Sequence, residues 1–175
     1  FWITGLFGNL VRIDAVTLDV RRWDTPLGAD PYGMTVDSNG HPWTAGWNGQ
    51  ITHFDPDTEA FEVFQIGPNT LRGLQIDRNG MLWAAVNGNC GVAQFDTNTK
   101  SIVNAQIPLP GCNTPVGVSI DVDGFVWVPD QGANLAFKMD PMTYAATTTT
   151  GLIGPYTYSD MTGAGLGLVY DPPTG

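Results

Sequence analysis

Pro31-Tyr32-Gly33-Met34-Thr35-Val36-Asp37-Ser38-Asn39-Gly40-His41-Pro42-Trp43 is the stretch that decides the fold. It joins two short apolar runs through Asp-Ser-Asn-Gly. Asn and Asp tolerate left-handed backbone and Gly takes positive φ at no steric cost, so this tetrapeptide reads as a tight hairpin. The pattern returns twice, as Leu71 to Trp83 around Asp77-Arg78-Asn79-Gly80, and as Pro115 to Trp127 around Asp121-Val122-Asp123-Gly124. A repeat of this kind must be read before any local feature.

Three residue types hold one register along the chain. Trp2, Trp43, Trp83 and Trp127 lie 41, 40 and 44 residues apart, and Asp14, Asp55, Asp96 and Asp140 lie 41, 41 and 44 apart. Gly33, Gly73, Gly117 and Gly167 follow at 40, 44 and 50. Each unit has four strand-length apolar runs. The second turn of the unit is Asp55-Pro56-Asp57-Thr58, Asp96-Thr97-Asn98-Thr99 or Asp140-Pro141-Met142-Thr143, where the Asp side chain bonds its own backbone two residues on. No stretch carries a helical apolar stripe.

Four antiparallel strands in a unit of this length make the blade of a β-propeller, so the chain is expected to be all-β with about four blade-equivalents. The units are approximately 1–30 (partial), 31–70, 71–114, 115–160 and 161–175 (partial), within one propeller domain or fragment spanning 1–175. The repeated Trp is expected to pack between blades, and the repeated Gly to let first strands run close together near the central channel. The end, Gly165 to Gly175, matches a first strand and its turn, which the beginning lacks. Either the first and last segments share a blade or the chain is a window from a longer array. A window from a six- or seven-bladed ring is the expectation, with the remaining blades in the same or another chain.

Composition narrows the partners. The chain has 175 residues, 22 Gly, 13 Pro and a net charge of −10. Seven Lys and Arg in all speak against nucleic acid, whose binding relies on cations at phosphates, and against anionic membrane surfaces. No apolar run is long enough for a membrane span. Cys90 and Cys112 fall in loops that emerge on one face of a meander, and a bridge between them is expected to close a loop of about 22 residues. Such a bridge implies an oxidising compartment: extracellular, periplasmic or cell surface. Two free buried thiols are the alternative.

The unit resembles the repeats of the virginiamycin B lyase (streptogramin lyase) group, and more loosely NHL repeats. The resemblance rests on Pro-x-Gly-(apolar)-x-(apolar)-Asp-x-(Asn/Asp)-Gly-x-(apolar/Pro)-Trp at 31–43, 71–83 and 115–127. It rests also on Phe54-Asp55-Pro56, Phe95-Asp96-Thr97 and Met139-Asp140-Pro141. It implies a propeller with a top-face Mg²⁺ ion held by glutamates, and a histidine base that opens a cyclic depsipeptide by elimination. Those residues do not carry over. His41 and His53 are the only histidines and are expected near the bottom edge, His41 exposed; Glu59 and Glu62 are the only glutamates and fall in a turn and a fourth strand. No catalytic residue, cofactor or metal ligand is therefore assigned.

Two other motifs read as structure. Asp121-Val122-Asp123-Gly124 starts like a calcium loop, but the twelfth position is Gly132 rather than Glu, so it is a hairpin turn. Gly163-Ala164-Gly165-Leu166-Gly167 precedes a strand, not a helix, and is no phosphate cradle. The functional candidates are non-repeated residues of the top-face loops: Phe7, Trp47, Asn48, Asn89, Asp130, Asn134 and Tyr156. Aromatic rings mixed with amides and carboxylates suit a sugar or peptide. Trp47, outside the repeat, is the sharpest candidate. The segment 151–165 is expected to overhang the top. A secreted, non-catalytic module that binds a protein or glycan is thus the first reading; a lyase-like enzyme completed by further blades is the second.

Overall fold

Asp37 shows why the hairpin recurs. In the computed structural model, which describes residues 1–6 and 8–157, its Oδ1 accepts the backbone N–H of Asn39 (2.9 Å) and of His41 (3.0 Å). Its Oδ2 accepts the indole Nε1–H of Trp43 at 2.9 Å. Asp77 does the same for Asn79, Met81 and Trp83, and Asp121 for Asp123, Phe125 and Trp127. Gly40, Gly80 and Gly124 close the three turns with φ of 83°, 79° and 90°. One carboxylate thus caps the turn and satisfies a tryptophan donor that burial would otherwise strand.

The hairpins build four antiparallel sheets. The first has three strands: β1 (Trp2–Ile3), β2 (Leu10–Ile13) and β3 (Val20–Trp23). The other three are four-stranded meanders. Blade two holds β4 (Pro31–Val36), β5 (Pro42–Gly46), β6 (Gln50–Asp55) and β7 (Ala60–Gln65). Blade three holds β8 (Leu71–Ile76), β9 (Met81–Val86), β10 (Gly91–Asp96) and β11 (Ser101–Pro108). Blade four holds β12 (Ser119–Ile120), β13 (Val126–Asp130), β14 (Leu135–Met139) and β15 (Ala146–Thr149). These are blades of a β-propeller, and no helix occurs among the described residues. The first strand expected at the C-terminal end, with Gly167, lies outside the described residues.

Blade three explains the packing. Its second strand, Met81-Leu82-Trp83-Ala84-Ala85-Val86, is apolar throughout because both of its faces are covered. Leu82, Ala84 and Val86 join Trp43, Ile51 and Phe95 in the core between blades two and three. Trp83 and Ala85 point the other way, to Val118, Val128 and Phe137 in the core between blades three and four. The period-two alternation of one strand therefore feeds two cores. Three of the four repeated tryptophans sit at seams as expected: Trp2 against Phe54 (5.8 Å), Trp43 against Phe95 (5.9 Å), Trp83 against Tyr144 (6.5 Å).

First strands do approach closely. A Cβ on Gly33 would lie 2.4 Å from the Arg72 carbonyl oxygen, and Gly73 N–H donates to Val116 O at 3.0 Å. Blade four is shorter than the pattern predicts at its first strand. There Pro115 makes an isolated bridge with Asp130, and Val116 donates to Pro129 O (3.1 Å) and accepts from Gly73 N–H before β12 begins.

The second turn is an Asx turn in all four units. Oδ1 of Asp14, Asp55, Asp96 and Asp140 accepts N–H groups two and three residues on. Four residues after each Asp, Leu18, Glu59, Lys100 and Tyr144 take positive φ. These bonds hold Asp14, Asp55 and Asp140 below the ordinary carboxylate value, led by the N–H of Thr17, Asp57 and Met142 respectively. At Asp96 burial pushes upward, and the bonds from Thr99 and Asn98 outweigh it.

A carboxylate with a lowered folded pKa adds stability above its unfolded value, and that stability is lost as pH falls through the folded value. The melting temperature is therefore expected to stay level from pH 7 to about pH 5 and to drop below about pH 4. A melting series across that range checks it. Asp77→Ala removes the cap and leaves the Trp83 indole, 0% exposed, without its acceptor. It is expected to cost about 2–4 kcal/mol in urea denaturation, whereas Asp123→Ala on the exposed tip stays within about 0.5 kcal/mol.

Candidate functional site

The residue before the repeated Gly varies in chemical type while the Gly does not: Tyr32, Arg72 and Val116. On β4 and β8 this position lies at the upper end of a first strand, beside the loops that join second to third strands. The Arg72 guanidinium lies 5.5 Å from the Tyr32 ring centre and 5.1 Å from that of Trp47. Tyr32 and Trp47 rings are 5.5 Å apart and tilted. The Tyr32 hydroxyl hydrogen-bonds that of Tyr156, 124 residues away, so the segment after blade four crosses the top to reach blade two. The expected overhang is present for 151–157; residues 158–165 lie outside the described residues. Arg72 Nε is buried and has no hydrogen-bond partner among the described residues.

Asn48 flanks the cluster. Its Nδ2 donates to the Asp30 carboxylate and to Gly28 O (3.2 Å), and Trp47 N–H donates to Asp30 O at 2.9 Å. Trp47 is half-buried, Asn48 is exposed, and Tyr156 is 41% exposed. The top of blade two thus offers rings, a cationic plane and amide and carboxylate edges within one patch. Cation–π contact of this kind stabilises by about 0.5–2 kcal/mol and fixes the ring orientations.

The other sequence candidates are placed elsewhere. Asn134 has φ of 56° and its Oδ1 accepts Gly154 N–H at 2.8 Å, so it ties down the segment that carries Tyr156. Asn89 is exposed, and its carbonyl accepts Gln106 Nε2–H at 2.6 Å. Asp130 is 0% exposed. Its carboxylate accepts N–H bonds from Asn113 (2.7 Å), Thr114 (2.8 Å) and Ala133 (2.9 Å), which makes it the internal brace of the blade-four loops. Phe7 lies outside the described residues. Tyr32 and Arg72 were missed because they sit inside strands. Their signal was variation at a fixed register beside an unvarying Gly.

Cys90 and Cys112 form a disulfide, with Cα atoms 5.7 Å apart, above Asp130. Their sulfurs are therefore not metal ligands. Both glutamates lie at the bottom: Glu59 pairs with Arg21, and Glu62 with His53 at 2.8 Å and with Lys100. The Lys100 hydrogen bond, then that of His53, holds the Glu62 carboxyl below its ordinary value. His41 is not exposed as expected but half-buried, because its ring lies 5.3 Å from that of His53. A cavity of about 670 Å³ opens between the bottom hairpins of blades three and four around Arg78, Trp83 and Met142. Two of its carboxylates, Asp77 and Asp121, are already committed to caps and indoles, so it is a gap of the repeat.

No family model matches the sequence, and no curated protein matches it. Solved structures do. A streptogramin B lyase superposes with a TM-score of 0.71 at 20% identity over 85% of this chain and 53% of its own. Virginiamycin B lyase from Staphylococcus aureus gives 0.70 at 19%, over 85% and 54%. The extracellular domain of a one-component system from B. thetaiotaomicron gives 0.65 at 17%, over 83% and 23%. The likeness is one of propeller fold, and the chain spans about half the length of the lyase structures it matches.

The disulfide closes a loop of 22 residues at the blade three–four corner. The paired substitution Cys90→Ser/Cys112→Ser is expected to lower stability by about 3 kcal/mol in urea denaturation. Reductant should destabilise the parent by the same amount and leave the double variant unchanged.

Proposed function

We propose that the chain is part of a secreted or cell-surface β-propeller that binds a glycan or protein through its top face without catalysis. The observation that carries this reading is the Tyr32–Trp47–Arg72–Tyr156 cluster, drawn from two blades and a crossing loop. Rings of this kind stack on the apolar face of a sugar or a peptide side chain, while Arg72, Asn48 and Asp30 take polar edges. The disulfide and the fold shared with an extracellular domain support an oxidising location. The net charge of −10 favours neutral or basic ligands over nucleic acid. Residues 1–175 are taken as one domain or fragment, with the remaining blades supplied by the same or another chain.

The second reading is a metal-assisted C–O lyase whose catalytic residues lie outside these 175 residues. The fold shared with two lyase structures favours it. Against it stands the position of both histidines and both glutamates at the bottom of the blades. A general base must come within hydrogen-bond reach of the proton it removes.

A glycan microarray, paired with pull-down of surface proteins, tests the first reading. Trp47→Ala and Arg72→Ala are each expected to weaken the strongest interaction at least about tenfold, since aromatic and Arg anchors dominate such sites. Retention unchanged in both variants would remove this patch as the binding site. Ring opening of a cyclic depsipeptide by the full polypeptide, followed by mass spectrometry, would establish the second reading instead.

A further inference from the structure

We propose that His41 and His53, with the Asp37 carboxylate, form a site for one transition-metal dication of the zinc class at the foot of blade two. This site lies at the opposite end of the blades from the top-face cluster and does not depend on it.

The two imidazoles are poised as a ligand pair. His41 Nδ1 lies 3.1 Å from His53 Nε2. Two nitrogens bound to zinc at a tetrahedral angle are about 3.3 Å apart, since each Zn–N bond is about 2.0–2.1 Å. Ligand atoms of Asp37, His41 and His53 all lie within 4.8 Å of one another. Asp37 Oδ1 already accepts two N–H bonds, while Oδ2 accepts only Trp43 Nε1–H, so one lone pair of Oδ2 remains.

His53 is held as a metal-ligating histidine is held. Its Nδ1 meets Glu62 Oε2 at 2.8 Å, which keeps the proton on Nδ1 and turns the Nε2 lone pair toward His41. Glu62 is anchored in turn by Lys100 of the next blade. The ring is 6% exposed and stacks on Trp43 at 4.4 Å between centres. His41, half-buried, leaves an approach from solvent, and the carboxylates of Asp55 and Asp57 come within 4.8 Å of it. Imidazole donors suit zinc, copper and nickel, whereas Mg²⁺ and Ca²⁺ prefer oxygen.

The sister blades provide an internal comparison. The residue paired with each repeated Trp on the third strand is Arg12, His53, Gln94 or Lys138. In blade four Lys138 Nζ sits 3.1 Å from Asp121 Oδ2, the oxygen that accepts Trp127 Nε1–H. The repeated Asp therefore already receives a cation at this register in one blade. In blade two an imidazole, a side chain able to ligate a metal, takes that place beside Asp37.

The test is calorimetric titration of the whole chain with zinc chloride, with zinc-edge X-ray absorption on the loaded protein. One equivalent is expected, with two imidazoles in the inner shell. His41→Met and His53→Gln install the residues that blade three carries at the same positions, Met81 and Gln94, so the fold is retained; circular dichroism verifies it. Each is expected to weaken binding at least about tenfold, and Glu62→Gln, which removes the orienting charge, by about 10–100-fold. Trp47→Ala should leave zinc affinity unchanged. No saturable uptake, an inner shell with fewer than two imidazoles, or undiminished affinity in folded His41→Met would overturn the proposal.

Discussion

The bond from a turn aspartate to a tryptophan six residues on is the constraint on which the rest of the structure depends. A tryptophan at a seam between blades buries a large apolar surface, but its N–H cannot be left without an acceptor in that setting. The same carboxylate that shapes the hairpin supplies it, at 2.9, 3.1 and 2.8 Å in three successive units. Turn geometry and seam packing are thereby one interaction. The indole is fixed to its own hairpin and presents its ring to the next blade, as Trp43 does to Phe95.

That coupling also determines what else can vary. The backbone near the first strands is fixed by Gly33, where strands approach too closely for a side chain, and by the bond from Gly73 N–H to Val116 O. The Asx turns hold the outer ends. Between these fixed points two registers change residue type from blade to blade. One is the residue before the repeated Gly, at the top; the other is the residue opposite the repeated Trp, at the bottom. The first collects Tyr32 and Arg72, and the second Arg12, His53, Gln94 and Lys138.

The repeat made the blades, their strand order, the seam role of Trp and the disulfide loop legible, because each follows from spacing and turn chemistry. Residues outside the repeat were harder. Trp47 stood out as an extra aromatic, but its neighbours Tyr32 and Arg72 belong to strands whose alternation marks them only as alternating. Asp130 looked like a loop carboxylate and is in fact buried under three backbone donors; its position as the last residue of β13, beside the loop, hid that role. The pairing of His41 with His53 depends on registry across a hairpin, where the cross-strand partner of His53 is Trp43 and the ring must lean past it. Sequence distance carries no trace of such a lean.

A propeller scaffold does not by itself select a chemistry. Here the asymmetry between the two ends does more. The top face gathers rings and a guanidinium whose Nε has no hydrogen-bond partner among the described residues. The bottom gathers the groups that move protons or hold metals, and it commits most of them: Glu62 to Lys100, Asp121 to Lys138, Asp77 to Trp83. A lyase built on this fold would need its base and carboxylates at the same end as its substrate pocket. In these blades both histidines and both glutamates are engaged toward the bottom, with one another and with Arg21 and Lys100, while the carboxylate beside the top cluster is that of Asp30.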